Sequence, residues 1–429
     1  MNSLYTLLFS LSIILINPIG TMRGEIWTQP KVFTISLICI LNFLNLWEDR
    51  ENLKLPQSWK INRLLWEIFL GIGLISTLAS PFPWRSLLGQ EQMGDGWLYW
   101  LLIALFTLSN NLLLRLHPEL VRSQLRGLVI GGVILAISIF PQAINWRIDY
   151  TATSGQLIQN NILASTIFQN QQPIGLYSHR GHASFVLAAV AVMTLIGWQW
   201  QWINTRQAAA AGILIIPALV LTQTRAGLLA LLVATIYLLG RKYYQLLIPT
   251  TLICLLLIGI ATSTRQINNL PVIKQITSDR VYLWEMANYR ISLRPLLGWG
   301  MNGFGTAYSS VQPGRKITKV IRLGDFSFNY QDENGQIKTA QLPTTKAHNL
   351  ILDTLISIGF LGLASYLTLL AWCLWQVIQS PYCGIEAVFV AYLVFTFTWF
   401  ECAQFTHLAW WSLSIFGISR ANNKKNLHL

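Results

Sequence analysis

Apolar runs of 16 to 22 residues recur along most of this chain, separated mainly by short polar turns. A helix of about 20 apolar residues spans the roughly 30 Å hydrocarbon layer of a bilayer. The pattern therefore predicts an all-α polytopic membrane protein. Only 11% of the 429 residues are charged and 53% are hydrophobic, whereas a soluble domain carries about 25% charged residues. Eighteen Trp and fourteen Tyr, many near run ends, suit the two membrane interfaces. A net charge of +13 raises the question of nucleic acid, but the basic residues form no continuous stripe. No nucleic-acid partner is expected.

Twelve helices are predicted, near 3–19, 31–47, 62–79, 97–115, 124–141, 181–199, 207–222, 226–239, 245–262, 349–376, 384–400 and 403–418. The resulting organisation is residues 1–262 with nine helices, a large loop at 263–348, three helices in 349–420, and a tail at 421–429. With the N-terminus inside, the inner loops and tail hold thirteen Lys and Arg, against six in the short outer loops. The positive-inside bias thus puts both termini in the cytoplasm and the large loop outside. Arg23, Lys31, Arg85, Arg147, Arg180 and Arg225 count as outer-loop charges. The first run, SLYTLLFSLSIILIN, lacks a basic leader and a small-residue cleavage site, so it reads as a retained helix. Cys39, Cys254, Cys373, Cys383 and Cys402 form no CxxC and read as small buried hydrophobes. Gly127 and Gly131 form a GxxxG, which permits close helix packing.

Three outward stretches carry the candidate chemistry. TQTRAG holds Arg225 between two apolar runs; SDRVYLWEMANYRISLRPLLGWGMNGFG holds Arg280, Trp284, Arg290 and Arg294; KAHNLILD holds His348, Asn349 and Asp353. Arg280 and Trp284 are four apart and share a face of a short amphipathic helix. The GxGxxGxG at 298–305 resembles a dinucleotide fingerprint, but no strand precedes it, so it reads as a turn returning to the membrane. QDENGQ marks a hairpin or exposed turn. In YSHRGHAS, Arg180 and His182 are second-rank substrate contacts, with a plain loop-to-helix junction as the alternative. Glu67, Asp353 and Glu401 are carboxylates in or near membrane helices, where ionisable groups are functional candidates. Asp353 lies just over one turn beyond His348, placed to orient it or an arginine, or else to pair with backbone. Plainer readings stand beside these: Arg225 as an interfacial charge ending a hairpin, His348 as a helix-start residue, Arg290 and Arg294 as solvated or headgroup contacts.

These stretches together resemble the O-antigen ligase and polymerase superfamily of membrane glycosyltransferases. The likeness rests on Arg280, Trp284, Pro295, Gly298, Gly300, His348, Asn349, Gly359 and Gly362, in order. TQTRAG adds Arg225, with Thr224 where serine is more usual, and WRSLLG with GDGWLYWL extends the likeness into the amino-terminal half. The resemblance implies a GT-C-like fold and metal-independent, inverting transfer of a glycan, with no cofactor. The donor would be an undecaprenyl-diphosphate-linked glycan. The acceptor hydroxyl would belong to another glycan, a lipid A core or a protein. Arg225 and Arg280 would grip the diphosphate, which arginine suits by its permanent charge and forked donors. His348 would be the general base. Trp284, Arg290, Asn349, Asp353, Arg180 and His182 would line the substrate site. The expected setting is the bacterial inner membrane, with the site facing the periplasm.

A rival of another class is an inorganic-carbon transporter, in which an arginine-lined cavity takes bicarbonate. Against it, the sequence shows no inverted repeat and no pair of broken helices, and its candidate residues gather at one surface. Flux in proteoliposomes that tolerates loss of His348 would mark a transporter; glycan left on an acceptor would mark an enzyme.

Overall fold

The computed structural model describes residues 1–144, 173–240, 280–312 and 317–416. The helix expected near 245–262, Arg147, Cys254, residues 263–279 of the long loop, Arg315, Lys316 and the tail at 421–429 lie outside the described residues. The chain runs through helices α1 (Asn2–Ile14), α2 (Gln29–Glu48), α3 (Gln57–Leu78), α4 (Pro83–Leu88), α5 (Trp97–Leu116), α6 (Leu120–Ala143), α7 (Arg180–Gln199), α8 (Thr205–Leu221) and α9 (Arg225–Gly240). It resumes with α10 (Arg280–Leu293), α11 (Gly303–Ser310), strands β1 (Ile317–Leu323), β2 (Ser327–Asp332) and β3 (Ile337–Gln341), then α12 (Leu350–Ile378), α13 (Glu386–Thr398) and α14 (Thr406–Ser414).

Among the described residues, six helices are long and apolar enough to cross a membrane: α2 with the π-turn before it, α3, α5, α6, α7 and α12. Four shorter apolar helices, α1, α8, α9 and α13, join them. The protein is thus a mostly helical membrane protein. The all-α expectation needs one amendment. The loop carries a three-stranded antiparallel sheet in the order β1-β2-β3, and the QDENGQ stretch is the β2–β3 turn. There Asp332 Oδ1 accepts from the Asn334 and Gln336 N–H groups, both at 2.9 Å.

Helix α7 is the most buried of the six, with 89% of its apolar window inside the protein. It meets α6 where Gly132 faces Val190, α9 where Gly227 faces Ser184, and α13 where Phe185 packs on Phe395 at 5.1 Å. The GLVIG pair has a packing role. A Cβ at Gly127 would stand 2.4 Å from the Thr6 carbonyl oxygen and one at Gly131 2.8 Å from that of Ser10, so the glycines let α1 lie directly on α6. Lys31 departs from the outer-loop expectation. It is fully buried in α2, donates to the carbonyls of Leu15, Trp27 and Leu176, and lies 4.4 Å over the Tyr177 ring. Glu67 lies on the outer face of α3 in an exposed 3.1 Å pair with Arg63.

Helix α12 is broken inside its span. Gly359 has φ 68° and ψ −171°, a left-handed-side conformation that a side chain resists. The backbone groups this break frees are satisfied by the RPLLGWG turn. The Trp299 and Gly300 N–H groups donate to the carbonyls of Ile356 and Ser357, both at 2.9 Å. The Phe360 and Leu361 N–H groups donate to the carbonyls of Pro295 and Leu296 at 2.8 and 3.3 Å. Non-helical backbone at membrane depth survives only where protein completes its hydrogen bonds, and here a second segment does so. The glycine-rich stretch is therefore a turn docked into a broken helix, as its lack of a preceding strand predicted.

Candidate active site

The segment before α12 is held from four directions. Asn349 caps α12, its Oδ1 accepting from the Ile351 and Leu352 N–H groups at 3.0 and 3.2 Å. Asp353, one turn on, accepts from the N–H groups of Ala347 at 2.7 Å and Asn349 at 3.4 Å. Trp284 Nε1 donates to the Ala347 carbonyl at 3.1 Å. Lys346 forms a buried ion pair with Asp95, whose other oxygen accepts from Asn302 Nδ2 at 2.7 Å. Burial opposes the Lys346 ammonium, but Asp95 and Asp353 outweigh it and hold its pKa above the ordinary lysine value.

Clamped on both sides, His348 takes φ +59°, the left-handed region that histidine tolerates better than bulkier residues. Its Nδ1 stands 3.1 Å from the Lys346 carbonyl oxygen. A carbonyl only accepts, so Nδ1 carries the proton and Nε2 keeps its lone pair. The ring stands edge-on to Trp399 and Phe400, at 5.1 and 4.8 Å between centroids. Burial, then the Arg280 charge, pushes the His348 pKa down to about 3.

Arg280 opens α10, with its guanidinium 5.0 Å over the same Trp399 ring. It donates one N–H to the Thr398 carbonyl at the carboxyl end of α13, and a guanidinium has five such donors. Burial lowers its pKa only to about 10, so it remains a cation at neutral pH. His179 reaches Trp399 from a third side at 5.3 Å. It caps α7 by accepting the Gly181 N–H at Nδ1, 2.9 Å, and burial followed by Arg180 and Arg23 lowers its pKa to about 3.

Arg225 is the first residue of α9 and is exposed. Tyr237 on α9 hydrogen-bonds Glu386 at the start of α13, at 3.3 Å. Gly227 faces Ser184 near the start of α7 while Phe185 packs on Phe395 near the end of α13. Helices α9 and α13 therefore run antiparallel, and Arg225 lies at the same end of the bundle as Thr398, His179 and Arg280. The ring contacts at Trp399 bring Arg280 and His348 together; Arg225 is level with them and is not among those contacts.

The family model for O-antigen ligase matches residues 210–367, a little over a third of the chain. This segment resembles the O-antigen ligase family. The likeness supports the O-antigen ligase and polymerase superfamily, whose members are membrane proteins acting on lipid-linked glycans. No curated protein matches the chain. The matched segment contains Arg225, Arg280, His348 and the break at Gly359, while Asp95, His179 and Trp399 lie outside it.

Several residues singled out in the sequence bind the protein's own backbone. Arg290 is 2% exposed, and its guanidinium donates to the carbonyls of Ala307, Met286 and Val311 at 3.3, 2.9 and 2.7 Å. It is not a solvated charge, because three carbonyls satisfy it and tie α10 to α11. Arg294 donates to the Ala79 carbonyl at 3.1 Å and lies over Trp299. Trp284, Asn349 and Asp353 shape the His348 segment, and for Asp353 the backbone reading and the orienting reading coincide. His182 is fully buried between Phe400 and Phe405, with Nδ1 3.3 Å from Ser178 Oγ. Arg180 is half-buried at the start of α7.

Reading the sequence missed Lys346, Asp95, His179 and Trp399. Their signals were faint: a lysine two before the histidine, the acid of GDGW, and the first histidine of YSHRGHAS. Behind the Lys346–Asp95 pair lies a cavity of about 20 Å³ lined by Asn302, Asp353, Tyr366 and Glu401 among others, room for about one water. Among the described residues no group of three or more His, Cys, Asp or Glu is arranged to hold a metal. The sheet is tied to the WRSLLG stretch: Arg85 donates to the Leu323 carbonyl at 3.1 Å and pairs with Asp325 at 3.4 Å. Lys319 and Arg322 stand exposed on β1.

Proposed function

We propose that the protein transfers a glycan from an undecaprenyl-diphosphate carrier to a hydroxyl acceptor on the periplasmic face of the bacterial inner membrane, through twelve membrane helices and a periplasmic loop. The observation that carries the reading is the His348 hydrogen bond to Lys346, which commits Nδ1 and leaves Nε2 as an acceptor beside the Arg280 cation. Nε2 takes the proton of the acceptor hydroxyl as its oxygen attacks the anomeric carbon. The diphosphate leaves from the opposite face, so the configuration inverts. Arg280 and Arg225 meet the charge that builds on the leaving diphosphate, an electrostatic role that strengthens towards the transition state. Arg225 opens α9, where backbone N–H groups add to the attraction for an anion. The low His348 pKa in the resting site suits this order of events. Bound diphosphate offsets the Arg280 charge and raises the basicity of the ring when the proton has to move.

The test is expression of wild type, Arg225→Ala, Arg280→Ala and His348→Ala in a host stripped of its own ligase and polymerase genes, supplied with candidate lipid-linked donors. New glycan on an acceptor with wild type, lost in all three variants at equal expression, supports the reading and names the acceptor. Glycan transfer that persists in His348→Ala overturns the mechanism.

A further inference from the structure

We infer that His179 is a second ligand-contacting histidine of this site, donating a hydrogen bond from Nε2 to an uncharged oxygen of the saccharide being transferred. The inference rests on the transferase reading above. It comes from the opposite ways in which the two rings are tied. His348 gives its Nδ1 proton to a carbonyl, so Nε2 is an acceptor. His179 receives the Gly181 N–H at Nδ1, so the proton of the neutral ring sits on Nε2, which is a donor. Both rings border one indole, His348 at 85° and His179 at 34° to the Trp399 plane. Gly181 lets that indole close on α7, since a Cβ there would lie 2.8 Å from Trp399 Cε2. The site thus offers one fixed acceptor and one fixed donor around a single aromatic plate.

The chemistry of the plate selects a sugar over a phosphate. Arg280 over the same indole supplies the charge that a diphosphate needs. A neutral N–H adds little beside a guanidinium but suits a hydroxyl or ring oxygen. Trp399, backed by Phe400 stacked on it at 5.3 Å and 23°, is partly exposed and offers apolar surface to the C–H side of a pyranose. His179 stays neutral because burial, Arg180 and Arg23 all disfavour its cation.

His179 also caps α7, so the test variant keeps the cap. In His179→Ser the hydroxyl accepts the helix N–H groups but is too short to reach across the indole. The experiment uses the full-length protein in liposomes with an undecaprenyl-diphosphate-linked glycan and its acceptor. It measures kcat, KM and inhibition by undecaprenyl diphosphate carrying no sugar. The expected result is a fall of roughly tenfold or more in kcat/KM, with inhibition by the bare carrier unchanged. Unchanged kcat/KM, in a wild type whose transfer is lost in His348→Ala, overturns this inference alone. Inhibition weakened in parallel with kcat/KM also overturns it, because the contact is then to phosphate or to the fold. No transfer by wild type overturns the transferase reading, and this inference with it. If His179→Ser fails to fold, His179→Asn, an equally good cap, replaces it.

Discussion

His348 meets Trp399 edge to face, 5.1 Å between centroids and 85° between planes, while Arg280 lies 5.0 Å over the same indole. One side chain therefore touches both the proposed base and the cation. Trp399→Ala is expected to cut kcat by roughly 10²-fold, since misplacing a catalytic group by an ångström costs about that much. Trp399→Phe should keep more of it. Transfer rates at matched expression check this; unchanged kcat in Trp399→Ala would separate the indole from catalysis.

Two histidines held neutral in the folded protein make stability depend on pH. His348 and His179 both have folded pKa values near 3, against an ordinary value of 6.5. Between those values the unfolded chain binds more protons than the folded one, so stability falls as pH drops from 6.5 towards 3. The unfolding midpoint should decline between pH 7 and pH 5, and decline less in His348→Asn, whose side chain tolerates the same positive φ. Equal pH dependence in wild type and variant would contradict the shift at His348. The same shift places the acid limb of kcat/KM below the usual histidine range, because the free enzyme keeps its base unprotonated there.

The Lys346–Asp95 pair is buried, with side-chain exposures of 5% and 4%. Removing one member strands the other, so Lys346→Met or Asp95→Asn should each cost about 3–5 kcal/mol. The double variant should lose much less than the sum. A thermal-unfolding double-mutant cycle measures this, and additive losses would rule out the coupling.

Gly359→Ala should be among the most damaging single-methyl changes in the chain. The added Cβ would stand 2.2 Å from the Leu296 carbonyl oxygen, at φ 68°. Strain at such a position costs about 1–3 kcal/mol before the clash is counted. The expected readout is reduced yield of folded protein and early melting, and a wild-type melting curve would show that the break is dispensable.

Local chemistry was legible in the sequence and distant pairing was not. The face shared by Arg280 and Trp284, the hairpin at QDENGQ, the packing glycines of GLVIG and the histidine before a membrane helix all follow from spacing within a few residues. Arg290 read as a solvated or headgroup contact, because two of the three carbonyls that satisfy it, those of Ala307 and Val311, come from α11 and the residue after it, which the sequence does not place. Asp95 and Lys346 lie 251 positions apart, and nothing local to either announces the other. The sheet was hidden because its strands are short, and their apolar partners, such as Tyr308 and Phe328 packed at 6.5 Å, come from different elements. Residues grouped by chemical type as substrate contacts divided once burial was known, into those that face Trp399 and those that hold backbone.

The break at Gly359 bears on how the protein is made. The turn at 295–300 leaves the ribosome before α12 does, yet its N–H and C=O partners are on α12. Until the two meet, α12 carries unpaired carbonyls at 356 and 357 that a lipid environment penalises by several kcal/mol each. Bilayer insertion of α12 and docking of the turn are therefore linked steps of biosynthesis. A nascent chain stalled between them is the form most open to quality-control proteases, and slow translation through 300–350 would lengthen its exposure.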